Sequence, residues 1–98
     1  MERAFLRQEM LLGPAAMARL REAHVAVFGI GGVGSWCAEA LVRGGVGRLT
    51  FVDNDELGET NLNRQLIALR STLGRNKAEV MAERALDIDP DCRVRALP

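Results

Sequence analysis

His24-Val25-Ala26-Val27-Phe28-Gly29-Ile30-Gly31-Gly32-Val33-Gly34 is the stretch on which the fold turns. An apolar run leads into a cluster of glycines, and an amphipathic segment then continues to Gly44. This is the succession of a strand, a tight turn and a helix whose N-terminus faces a phosphate. Glycines let the backbone take positive φ and approach a ligand closely, while the first helical N–H groups remain unpaired and point outward. A nucleotide is therefore the first ligand to consider, and close packing of helix on strand is the competing reason for the glycines.

Beyond the turn, Val33, Trp36, Cys37, Ala40, Leu41 and Gly44 fall on one stripe of a helix, which is expected to cover a sheet. Glycines at 44, 45 and 47 end that helix, and Leu49-Thr50-Phe51-Val52 reads as a second strand closing on Asp53. Strand, helix and strand in this order form a βαβ unit with parallel strands and a right-handed crossover. Upstream, residues 2–12 predict a short helix before the break at Gly13-Pro14, and residues 15–23 a second one leading into the first strand.

Downstream of Asp53 the periodicity weakens as far as residue 73, with one helical turn expected around residues 60–64. A polar connection of this length is more often functional than filler. Residues 75–88 predict another helix, with Met81, Ala85 and Ile88 on its inner face, stopped by Asp89-Pro90. Residues 92–97 read as a third strand, which leaves open sheet edges. The expected fold is α/β: a Rossmann-like three-layer αβα arrangement, the first half of a doubly wound, mainly parallel sheet. Residues 1–23 form an N-terminal helical arm and 24–98 the N-terminal half of the nucleotide-binding domain.

Thirteen Lys and Arg balance thirteen Asp and Glu in 98 residues, so no net field attracts nucleic acid or a membrane surface, and only a local basic patch remains open to such a role. With 48% apolar and 27% charged residues the composition is that of an ordinary folded domain. No run approaches a membrane span and the N-terminus lacks a secretory signal, so a cytoplasmic location is expected. Cys37 and Cys92 belong to no Cys-x-x-Cys pair and read as buried structural thiols. His24, opening a buried strand, reads as structural.

Asp53 stands roughly 20 residues beyond the glycine turn, at the carboxyl end of the second strand, where an acid accepts hydrogen bonds from a ribose. NAD and ATP both present a ribose, so Asp53 does not choose between them. Asn61, Arg64 and Lys77 do choose, because a triphosphate has more charge to neutralise than a pyrophosphate held by backbone N–H groups. They favour ATP. Each has a plainer use: Arg64 as a surface cation, Lys77 as a solvated lysine in a first helical turn, Asn61 as the cap of a short turn. Asp55 is either solvated or a ligand for Mg²⁺ beside a triphosphate.

Together, Gly29 to Gly34, Asp53-Asn54-Asp55, Thr60-Asn61-Leu62-Asn63-Arg64-Gln65 and Gly74-x-x-Lys77 resemble the ATP-binding half of the ubiquitin-activating-enzyme superfamily, of ThiF/HesA type. Gly32-Val33-Gly34-Ser35-Trp36, Ala68-Leu69-Arg70 and the blocks at 77–84 and 89–94 look most like its branch that cyclises threonylcarbamoyladenosine in tRNA. The resemblance implies a nucleotide site built from Gly29, Gly31, Gly32, Gly34, Asp53, Asp55, Asn61, Arg64 and Lys77. Asp53 would hold the ribose, and Asn61, Arg64 and Lys77 the phosphates. Arg7 would enter a partner's site in a homodimer and neutralise phosphate charge there.

The implied reaction is attack of a substrate carboxylate on the α-phosphorus of Mg-ATP, giving an acyl-adenylate and pyrophosphate. No side-chain nucleophile is required, and the further acid for Mg²⁺ is expected beyond residue 98, in a longer protein of which this is the N-terminal portion. On this reading tRNA is the substrate, a ubiquitin-like sulfur-carrier protein being the alternative within the same chemistry. Outside it stand an NAD-binding oxidoreductase domain and a non-catalytic fragment that keeps the motif by descent.

Overall fold

The computed structural model describes residues 3–98. A single 3₁₀ turn over Arg3–Phe5 leads into helix α1 (Leu6–Leu12), and α2 (Pro14–Glu22) follows after Gly13. Pro14 occupies the first turn of α2, where its missing N–H costs nothing and its fixed φ suits a helix start. Strand β1 (His24–Phe28), helix α3 (Gly32–Arg43), strand β2 (Arg48–Val52), helix α4 (Lys77–Ile88) and strand β3 (Arg93–Leu97) complete the chain. The strands lie in the order β1-β2-β3 and all pair in parallel, with His24, Arg48 and Arg93 in one register row and Phe28, Val52 and Leu97 in another.

The α/β architecture and the parallel βαβ unit are thus as expected. Of three expected layers, the described residues supply two. Val27, Leu49 and Phe51 are buried on the inner sheet face, and Ala38, Val42, Ala78, Met81 and Ala85 of α3 and α4 pack into the same core. The opposite sheet face carries no helix among the described residues. His24, read as part of a buried strand, is exposed there and hydrogen-bonds Thr50 Oγ1 through Nε2 at 2.8 Å.

The stripe expected to seat α3 is corrected by the structure. The buried line is Ser35, Ala38, Glu39 and Val42, while Val33 is 86% and Trp36 56% exposed. The reason is visible at Gly34: a Cβ there would fall 1.7 Å from the carbonyl oxygen of Gly29, so the helix turns its smallest side chains toward the strand. Because α3 is apolar on nearly all sides, spacing alone does not select its inner face. Cys37, one position from the buried line, is consequently exposed rather than buried. Cys92 is buried, just before β3 rather than within it, and burial raises its thiol pKa.

One charged residue is built into the inner face of α3. The Glu39 carboxylate accepts from Arg84 Nε at 2.7 Å and Nη2 at 3.0 Å, and from Arg43 Nε at 2.8 Å, tying α3 to α4. The hydrogen bond from Arg84 leads the interactions that hold its pKa below the ordinary value of 4.5. A lowered folded-state pKa gives stability that is present above 4.5 and lost as pH falls through the folded value. Glu39→Gln is expected to destabilise the chain by about 1–2 kcal/mol at neutral pH. It should also flatten the loss of stability below the ordinary carboxylate range, both effects being read from urea midpoints across pH.

A candidate nucleotide site at the carboxyl end of the sheet

β1 and β2 end side by side, and the loops that leave them are joined through one carboxylate. Asp53 Oδ2 accepts from the backbone N–H of Ile30 at 2.7 Å, and Oδ1 from the N–H of Asp55 at 2.8 Å. Gly29 has φ +89° and donates its N–H to Val52 O at 2.8 Å, so the chain swings away from β1 at that residue. α3 begins without a side-chain cap at Gly31, which leaves the amides of its first turn facing the opening above the strands. Asp53 therefore already holds the turn in shape. Each carboxylate oxygen keeps a second lone pair for a ribose hydroxyl.

The 59–73 connection folds back over this turn. Arg64 runs alongside Gly32, where a Cβ would sit 3.8 Å from the arginine Cγ, Cδ and Nε atoms. Its Nη1 donates to Thr60 O at 3.0 Å and Asn63 Oδ1 at 3.1 Å, and the backbone carbonyl of Arg64 accepts from Trp36 Nε1 at 3.3 Å. Asn61 lies in the 3₁₀ turn Glu59–Asn61, where its Oδ1 accepts from the N–H of Gly58 at 2.8 Å. It thus closes its own turn through the acceptor end, and an anion would be met by the Nδ2 end. Gly31 faces Gln65, whose Nε2 lies 3.8 Å from the position a Cβ would take.

Lys77 opens α4 and is only 7% exposed, with Nζ 4.0 Å from Asp55 Oδ2. A cation at a helix N-terminus gains nothing from the peptide field, and the Asp55 carboxylate, beyond hydrogen-bond distance, is the charge that faces it. Asp55 is itself exposed, and no cluster of three metal-ligating side chains occurs among the described residues. One exposed carboxylate is the protein's usual share in holding Mg²⁺ when phosphates and water supply the remaining ligands. Asp55 fits that share.

The structure thus gathers Gly29, Gly31, Gly32, Gly34, Asp53, Asp55, Asn61, Arg64 and Lys77 around the carboxyl ends of β1 and β2. It does not bring Arg7 there. Arg7 is exposed on α1, and the neighbouring Gln8 donates from Nε2 to Gly44 O at 2.6 Å, at the opposite end of α3. A helix of 12 residues is roughly 18 Å long, so Arg7 belongs to the far end of the molecule from its own glycine turn.

One residue escaped the sequence reading. Asn76 caps α4, accepting from the Glu79 N–H at Oδ1 (3.0 Å) while Nδ2 donates to Asp53 O at 2.8 Å. It connects the helix bearing Lys77 to Asp53, the residue that follows β2. The signal for its capping role was available, since Asn followed three residues later by Glu marks a helix start.

An α/β protein with a glycine-rich strand-to-helix turn at the carboxyl end of a parallel sheet is what this geometry defines. The chain belongs to the ThiF family, whose model matches residues 5–98. It is 53% identical over 87 residues to the tRNA threonylcarbamoyladenosine dehydratase of Haemophilus influenzae, covering 89% of this chain and 33% of that protein. The sulfur carrier protein adenylyltransferase of Thermus thermophilus is 38% identical over 87 residues, covering 89% of this chain and 32% of the relative. A crystal structure of Escherichia coli tRNA N6-threonylcarbamoyladenosine dehydratase in complex with ATP superposes with a TM-score of 0.94 at 50% identity, over 96% of this chain and 39% of that one. The chain spans about a third of the length of these curated relatives.

Asn76→Ala is expected to cost about 1–2 kcal/mol through loss of the helix cap. Asn76→Asp keeps the cap acceptor, so it should recover most of that stability in thermal melts. It still removes the donor to Asp53 O and adds a carboxylate between Asp53 and Asp55, so it should weaken binding of a phosphate ligand as much as the alanine variant does.

Proposed function

We propose that this chain is the ATP-binding portion of an adenylating enzyme acting as a tRNA threonylcarbamoyladenosine dehydratase. The observation that carries the reading is the meeting of Lys77 and Asp55, Nζ to Oδ2 at 4.0 Å, where the start of α4 approaches the loop after β2. A polyanion at the carboxyl end of the sheet takes Lys77 as one cation, and Arg64 beside Gly32 supplies a second. Asp53 holds the ribose, Asn61 offers its amide to a phosphate, and Asp55 takes Mg²⁺ with the phosphate oxygens.

The reaction is attack of the threonyl carboxylate on the α-phosphorus, releasing pyrophosphate and leaving an acyl-adenylate; an internal nucleophile then attacks the acyl carbon, breaking its bond to the phosphate oxygen, expelling AMP and closing the ring. Positioning and charge neutralisation are the protein's contributions. The 53% identity to the H. influenzae dehydratase, against 38% to the T. thermophilus sulfur-carrier enzyme, supports tRNA over a carrier protein as the substrate. Arg7, too far from its own glycine turn, serves the site of a second copy in a homodimer. The location that suits this work is the cytoplasm, and no helix among the described residues is long and apolar enough to cross a membrane.

Calorimetric titration of the chain with Mg-ATP and with NAD tests the reading. Mg-ATP should bind more tightly than NAD, and Lys77→Ala and Arg64→Ala should each weaken it about tenfold, the effect of losing one charge-assisted contact. Tighter binding of NAD, or no effect of Lys77→Ala, would overturn it.

A further inference from the structure

The segment that supplies Asn61 and Arg64 ends in a residue to which nucleotide binding has so far given no task. Gln65 is 6% exposed, and among the described residues its Oε1 is the only buried side-chain polar atom without a hydrogen-bond partner. Buried polar groups are nearly always paired, and an unpaired one costs stability that an apolar side chain of the same shape does not. The neighbouring amides are committed at this end: Asn61 Oδ1 accepts from the Gly58 N–H, and Asn76 uses both ends of its amide. Gln65 is the exception.

Its backbone is pinned to the first turn of α3 on either side. Trp36 Nε1 donates to Arg64 O at 3.3 Å, and the Leu66 N–H donates to Ser35 Oγ at 3.3 Å. The N–H of Gln65 itself donates to Asn61 O at 2.9 Å. From this fixed base the side chain reaches the glycine turn. Apart from the chain neighbours of Gly31, Gln65 Nε2 is the only atom within 4 Å of the position a Cβ on Gly31 would take, at 3.8 Å. A glycine there places no side chain between the amide and the opening above the strands.

We infer that Gln65 is a binding residue for the α-phosphate of the nucleotide, donating from Nε2 past Gly31 to a phosphate oxygen; the inference rests on the ATP reading above. Along the turn, the Ile30 N–H is bonded to Asp53, the acid for the ribose, and Gly32 lies beside Arg64, a cation for the phosphate chain. Gly31 falls between them, where the phosphate next to the ribose belongs. The unpaired N–H groups at the start of α3 favour an anion at the same point. A phosphate ester offers acceptors, so the useful end of an amide is its NH₂ group. Leaving the carbonyl oxygen unpaired in the interior keeps those donors at the turn.

Calorimetric titration of the wild type, Gln65→Met and Gln65→Glu with Mg-ATP, AMP and adenosine tests the inference, with melting temperatures recorded for each variant. Gln65→Met keeps the volume and removes the unpaired acceptor, so its melting temperature should hold or rise. ATP and AMP should each bind about tenfold more weakly to it, the effect of losing one charge-assisted hydrogen bond, while adenosine binds as before. Gln65→Glu keeps the acceptor but exchanges the donors for a negative charge, and should weaken ATP and AMP further, again sparing adenosine. A residue that only packs gives the reverse, a lower melting temperature with affinities retained. ATP and AMP affinities that survive both substitutions overturn the inference, as does a loss that adenosine shares. Failure of the wild type to bind Mg-ATP overturns the nucleotide reading itself and the inference with it.

Discussion

The carboxylate of Asp53 is the constraint on which the site depends. It is fixed at the end of β2, where its own N–H bonds Leu97 O at 3.1 Å, and its two oxygens reach across to the Ile30 amide and forward to the Asp55 amide. These bonds set the height of the glycine turn over the sheet and the path of the segment leading to Lys77. The acid chosen in the sequence for a ribose is therefore also the brace of the glycine turn. Its worth is greater than that of a solvated acid, because charge-assisted bonds to backbone N–H groups are among the stronger ones.

The same economy recurs at the other end of the sheet. Arg21 donates to Asp89 Oδ2 at 2.7 Å and to Gly45 O at 3.2 Å, and its guanidinium lies 5.0 Å from the centre of the Phe5 ring. One side chain thus joins the N-terminal arm, the α3–β2 connection and the end of α4. Asp89 is 2% exposed and would be an uncompensated charge without it. The helical arm is tied to the domain by this node and by Gln8, so its position is set by the end of the sheet remote from the nucleotide.

The elements with alternating or boundary signals were readable from sequence. β1 has its expected limits, and α2 and α4 differ by a residue or two at their ends, where proline and a cap decide. The parallel pairing followed from the spacing of strand, glycine turn and helix. What sequence could not supply was the roll of α3, since Val33-Gly34-Ser35-Trp36-Cys37 offers apolar or small residues on every side. A backbone contact, Gly34 on Gly29, settled it. The candidate residues around the glycine turn were chosen through their family pattern, and the plainer use of Asn61 in its short turn was also open to sequence reading, whereas the bond from Asn76 Nδ2 to Asp53 O joins positions 23 residues apart and became visible only in the fold.

Lys77 lays its aliphatic stem against the start of α4 and carries its charge to within 4.0 Å of the exposed Asp55. A lysine used in this way packs like a hydrophobe along its length while its head group stays polar. The helix field adds nothing to a cation at this end, so the carboxylate of Asp55 is what balances it. The two side chains thereby form a neutral clasp between the loop after β2 and the first turn of α4, and an anion or a cation arriving there would meet its counterpart already held in place.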